Sequence, residues 1–126
     1  DMASGLVMIM EILERLFDFL PTGSTFTNRS FTANPLVPSI FQTNLTVPTI
    51  TNAVMQSGLV SVFIAPANNN NAFWHALPGS FSPDPTSTSF RRFFNYQISS
   101  GEVVIFTTDG APGYNADFKV VVVPAP

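Results

Sequence analysis

No cysteine occurs anywhere in the chain. Disulfide staples and thiolate metal sites are therefore excluded, and an oxidising compartment is permitted without being required. Charge is almost as scarce: Asp, Glu, Lys and Arg together make up 10% of the 126 residues, against about 25% in an ordinary soluble domain. There is one lysine, Lys119, and one histidine, His75. With a formal net charge of -3 and a pI near 4.7, the chain lacks the basic stripe that neutralises phosphates. Arg91 and Arg92 form the sole adjacent basic pair, so nucleic acid is not an expected partner. A surface with so little charge is poorly protected against association.

What is present begins with an apolar run. Residues 4 to 20, SGLVMIMEILERLFDFL, read as one helix preceding a region of β-type sequence. On a helical wheel Ser4, Glu11, Glu14, Arg15 and Asp18 form a narrow polar stripe. Leu6, Val7, Ile9, Met10, Ile12, Leu13, Leu16, Phe17, Phe19 and Leu20 cover the rest. Such a helix asks for burial on more than one side. A membrane span is not expected, because four charges fall between Glu11 and Asp18. The run also lacks the basic start of a secretory signal, and its polar face holds three acids and one base, which disfavours an anionic lipid surface. Protein remains as the cover: the chain's own β-domain or a neighbouring copy.

After Pro21 the composition turns to Thr, Ser, Val and Phe, with turn signals that divide residues 21 to 126 into about seven strands. Pro21 to Ser24 stop the helix, and a first strand is expected over residues 25 to 32. In residues 39 to 47, Phe41, Thr43, Leu45 and Val47 alternate with Ile40, Gln42, Asn44 and Thr46. Thr51 is placed to cap one helical turn that ends at Gly58. Further strands are expected over 59 to 65, 88 to 98, 102 to 108 and 116 to 123, with a hairpin turn at Ser100 and Gly101. Residues 72 to 77 precede a turn at Pro78 and Gly79. This pattern predicts a mainly β fold, an antiparallel Greek-key-like β-sandwich of residues 21 to 126 preceded by the helical segment 1 to 20. Several strands are apolar on both faces: Val103 and Ile105 against Val104 and Phe106, and Val120 and Val122 against Val121 and Val123. A two-layer sandwich buries one face of each sheet, so the second face needs a cover.

The stretches VPTITNAVMQSGLVSVFIA, FWHALP, FFNYQI with SGEVVIF, and DFKVVVVP, between about Leu45 and Pro124, resemble a group of small secreted or cell-surface proteins of Bacteroidota. The resemblance implies a β-sandwich at the envelope or outside the cell, with no chemistry attached. The lipid-anchor cysteine frequent in that group has no counterpart among these 126 residues.

Candidate chemistry is thin. His75, beside Trp74, has no G-x-S-x-G elbow or comparable nucleophile context in the chain, so it reads as a strand residue next to an aromatic anchor and the protein is not expected to be an enzyme. Asp84, Glu102, Asp109 and Asp117 are dispersed, which gives no paired-carboxylate reading. Asp109, Asn115 and Asp117 flank a Gly-containing turn and have the chemistry of Ca²⁺ ligands, but not the spacing of an EF-hand. Hydrogen bonding to their own turn explains them more simply. No cofactor or metal is expected. Asn28-Arg29-Ser30 and Asn44-Leu45-Thr46 satisfy the N-glycosylation sequon, which makes Asn28 and Asn44 candidate glycan acceptors. Phe73, Trp74, Tyr96 and Tyr114 offer rings for stacking on sugars, although 13 Phe against two Tyr and one Trp is the balance of a core.

These readings converge on a structural subunit that polymerises with itself outside the cell, into a filament or tube, by a heterologous contact that repeats without closing. Its interface is expected at Leu6, Ile9, Met10, Leu13, Leu16, Phe17 and Leu20, with Val121 and Val123 or Val104 and Phe106 on the receiving sheet. Strand addition by residues 25 to 32 is a variant of the same joint. The alternative is a small cell-surface module that binds glycan or protein through the loops 66 to 72 and 78 to 88.

Overall fold

A computed structural model describes Gly5 and residues 20–67, 73–82, 92–108 and 115–126. Of the expected N-terminal helix, Leu6, Ile9, Met10, Leu13, Leu16 and Phe17 lie outside the described residues.

The described residues are mainly β, in two antiparallel sheets. In chain order the elements are β1 (Thr22–Ser30), β2 (Thr32–Ala33), β3 (Ile40–Thr46), helix α1 (Asn52–Ser57), β4 (Leu59–Pro66), β5 (His75–Ala76), β6 (Gly79–Phe81), β7 (Arg92–Ser99), β8 (Glu102–Thr108) and β9 (Asn115–Val123). The first sheet has the order β1-β9-β4-β5 and the second β2-β3-β8-β7-β6. The first strand thus lies beside the last, with Thr22 opposite Val122 and Phe26 opposite Phe118. On its other side β9 pairs with β4 from Leu59–Val123 to Pro66–Ala116.

The alternating strands place one residue set of each sheet in a shared core, which fits a sandwich. The first sheet contributes Val60, Val62, Ile64, Phe118, Val120 and Val122, and the second Leu45, Phe94, Val103 and Ile105. Phe94, Phe118, Ile64 and Ile105 are fully buried. The sequence period places β3 correctly: Thr43 and Leu45 point inward, while Asn44 and Thr46 are exposed.

The strand expected over residues 25 to 32 is instead broken at Phe31. This ring is 5% exposed and lies 5.6 Å from Phe94 and 5.9 Å from Phe118, measured between ring centroids. It joins the two layers, and the chain leaves the β9 pairing at Ser30 to enter the second sheet at Thr32. Burial of a large aromatic outweighs strand continuity here, because a ring that size carries roughly 1.5–3 kcal/mol of transfer free energy.

Thr51 caps α1: its hydroxyl accepts from the Val54 N–H at 3.3 Å. Gly58 ends the helix in extended backbone, φ -91° and ψ -165°, so no left-handed turn calls for the glycine. Space does. A Cβ at this position would lie 2.6 Å from the Val123 carbonyl oxygen and 2.9 Å from Val54 Cα. Gly101, with φ +78°, serves the tight connection between β7 and β8.

Candidate functional site

The outer face of the first sheet carries the side chains that the core does not use. On β9 these are Asp117, Lys119, Val121 and Val123, and in register beside them on β4 are Ala65, Phe63, Ser61 and Leu59. The end nearest α1 is apolar: Leu59 is 60% exposed, while Val121 and Val123 are half-buried. β1 adds Gly23 opposite Val121, and with no side chain there the patch stays open on that flank.

Farther along the same face Lys119 stands between two rings. Its Nζ lies 4.8 Å from the Phe63 ring centroid and 5.0 Å from that of Trp74, within cation–π range of both. Trp74 is half-buried, and one of its faces is already used by a cation. Phe73 is 43% exposed and meets His75 edge-on at 5.7 Å. His75 is exposed at the β5 edge. Tyr96 packs against the core, and its hydroxyl donates to the Val60 carbonyl at 3.5 Å. Of the described rings expected to offer themselves to sugars, Phe73 is therefore the most exposed, and Tyr114 lies outside the described residues.

Asp117 is 3% exposed. Its Oδ1 accepts from the Asn28 N–H at 2.8 Å, and the Asn115 amide donates to Asn28 Oδ1 at 2.9 Å. Asn28 has φ +51° and sits where the β1–β9 register shifts between Phe26 and Arg29, a bulge in β1. The sequence predicts that Asn115 and Asp117 bond within their own loop. They instead bind β1 across the sheet, and the left-handed residue is an Asn because its short polar side chain both tolerates and anchors that backbone. Asp109 lies outside the described residues, among which no group of three or more His, Cys, Asp or Glu side chains is placed to hold a metal ion.

The outer face of the second sheet is more polar. Val104 and Phe106 are half-buried, and their neighbours in register are Asn44 and Gln42 on β3 and Gln97 and Asn95 on β7. They line a shallow depression of about 230 Å³ with Asn34, Ile40, Gln42 and Gln97. Asn44 faces out from this sheet, its Oδ1 accepting from Gln42 Nε2 at 3.2 Å, and Asn28 is exposed on β1. A second groove, about 310 Å³, runs between the start of β1 and α1, lined by Leu20, Thr22, Thr49, Thr51, Val54, Val122 and Pro124. Leu20, the one residue of the expected helical interface that is described, is 51% exposed at its lip.

The sheets end in edges of very unequal length. β5, β2 and β6 are two or three residues long, whereas β1 has nine and pairs on one side only among the described residues. Sequence reasoning had no signal for this, because pairing of the first strand with the last is set by tertiary packing.

No helix among the described residues is long and apolar enough to cross a membrane. Comparison with known proteins finds no matching family model, no similar curated protein and no similar solved structure.

Proposed function

We propose that this chain is a structural subunit that assembles with copies of itself into an extracellular filament or tube. The apolar segment 4 to 20 acts as a helix that docks, together with the strand after it, on the next subunit's sandwich, wound in Greek-key-like order. The observation that carries this reading is the apolar patch on the outer face of the first sheet, where Leu59 is 60% exposed and the half-buried Val121 and Val123 lie beside it. Contiguous apolar surface of this kind marks interaction sites. Of the two receiving surfaces expected from sequence, Val121 and Val123 fit better than Val104 and Phe106, whose register neighbours are amides.

The energetics favour a permanent joint. Burying the seven helix side chains Leu6, Ile9, Met10, Leu13, Leu16, Phe17 and Leu20 supplies a gross term well above ~10 kcal/mol, from which association and ordering costs are subtracted. The test is a pair of charge insertions, Val121→Glu and Val104→Glu, examined by electron microscopy and light scattering. Loss of polymer with Val121→Glu and retention with Val104→Glu supports docking on the first sheet. Polymer of unchanged symmetry with Val121→Glu rejects that face as the receiving surface.

A further inference from the structure

We infer that β1 is a pairing edge for a second copy of this chain, joined antiparallel to the same strand of its partner about a two-fold axis at Ser24. This inference rests on the self-assembly reading and names one of its joints. Edge strands of monomeric proteins are guarded by brevity, by Lys or Pro, or by a bulge. β5, β2 and β6 are guarded by brevity. β1 is not: from Thr22 to Thr27 it holds neither a charged residue nor a proline, and it runs in unbroken register with β9 from Thr22 to Phe26. Pro21, which has no N–H to donate, bounds that flat stretch at one end, and the Asn28 bulge bounds it at the other.

Length selects the occupant. Among the described residues no other strand that ends a sheet exceeds three residues, and the longer run Asn95–Ser99, which β6 does not pair, belongs to the inner strand β7, so another β1 is the sheet-ending strand that matches this stretch. A two-fold pairing places one residue opposite itself, and the middle of Thr22–Phe26 is Ser24. Each copy's Phe26 then faces the other's Thr22, and Thr25 faces Gly23. Phe26 and Thr22 share the inner face of the sheet with Phe118 and Val122, so the symmetric contact extends the inner layer and adds two aromatic–Thr pairs, a favourable cross-strand combination. Phe26 is half-buried, packed against the core with the Arg29 guanidinium 5.3 Å from its ring centroid. The joint closes on itself, so growth of a polymer needs the separate docking of the N-terminal segment.

The absence of cysteine makes the test clean. Full-length Ser24→Cys, folded by the criterion of unchanged Trp74 emission, is treated with a mild oxidant at micromolar concentration. It should form a covalent dimer at least tenfold faster than Thr27→Cys, whose two copies would lie about 20 Å apart along the paired strands. Independently, Thr25→Cys mixed with Gly23→Cys should link to each other and neither to itself. Electron microscopy of the same samples separates the two failures. Polymers without selective linking overturn β1 pairing and leave self-assembly standing, whereas monomers without linking overturn both.

Discussion

Gly58→Ala should destabilise the fold although alanine is at home in extended backbone. The added Cβ would sit 2.6 Å from the Val123 carbonyl oxygen, 2.9 Å from Val54 Cα and 3.1 Å from the Val54 carbonyl oxygen. All three are backbone atoms, held by the α1 end and by the β4–β9 ladder, so no flexible side chain can swing away. Ordinary carbon contacts lie near 3.5–4.0 Å, so the backbone must give by several tenths of an ångström, an overpacking cost of about 1–3 kcal/mol. Reduced freedom of the unfolded chain returns about 0.4–1 kcal/mol. The net loss is roughly 1–2 kcal/mol, or a fall in Tm of several degrees. Gly23→Ala is the control with the opposite sign, since a Cβ there meets nothing within 4 Å and should stabilise by about 0.4–1 kcal/mol. Urea unfolding followed by the single tryptophan, at low protein concentration, measures both. Equal stability of Gly58→Ala and Gly23→Ala would rule out the backbone clash at Gly58.

Other perturbations test the remaining joints. Phe31→Ala removes the ring that bridges the two layers and should cost about 3–5 kcal/mol, a large share of a domain's typical stability, read as a lower urea midpoint. Asp117→Ala strips the buried acceptor from the Asn28 N–H, for an expected loss of about 1–3 kcal/mol. Amide exchange should accelerate through β1 and remain slow in β7 and β8; equal acceleration everywhere would deny the local role. Lys119→Met removes the cation between Phe63 and Trp74 and should alter Trp74 emission while costing about 0.5–2 kcal/mol, whereas an unchanged spectrum would contradict the stacking.

Local signals carried the parts of this fold that local physics decides. The alternation in β3, the cap at Thr51, the hairpin at Gly101 and the two-faced apolar pattern of β8 and β9 are each set by a few adjacent residues, and each is found in place. What escaped reading depends on residues far apart in the chain. Phe31 breaks a plausible strand because its ring meets Phe94 and Phe118 in different sheets. Asn28, Asn115 and Asp117 form a clasp across 87 to 89 positions, so turn chemistry was the nearest explanation that the neighbours of Asn115 and Asp117 allowed, and Asn28 read as a glycan acceptor. Lys119 finds two aromatic partners only once β4, β5 and β9 lie side by side. The exposed β1 edge follows likewise from sheet order, which alternation alone leaves open. Gly58 was legible as a helix stop, but its reason, the approach of Val123, was not.

In the proposed assembly the N-terminal segment joins one copy to the next. Negative-stain electron microscopy of the full chain at neutral pH, beside the same chain lacking residues 1 to 20, tests it most directly. The full chain should give regular filaments or tubes, and truncation should abolish them. Discrete small particles in both samples would contradict it.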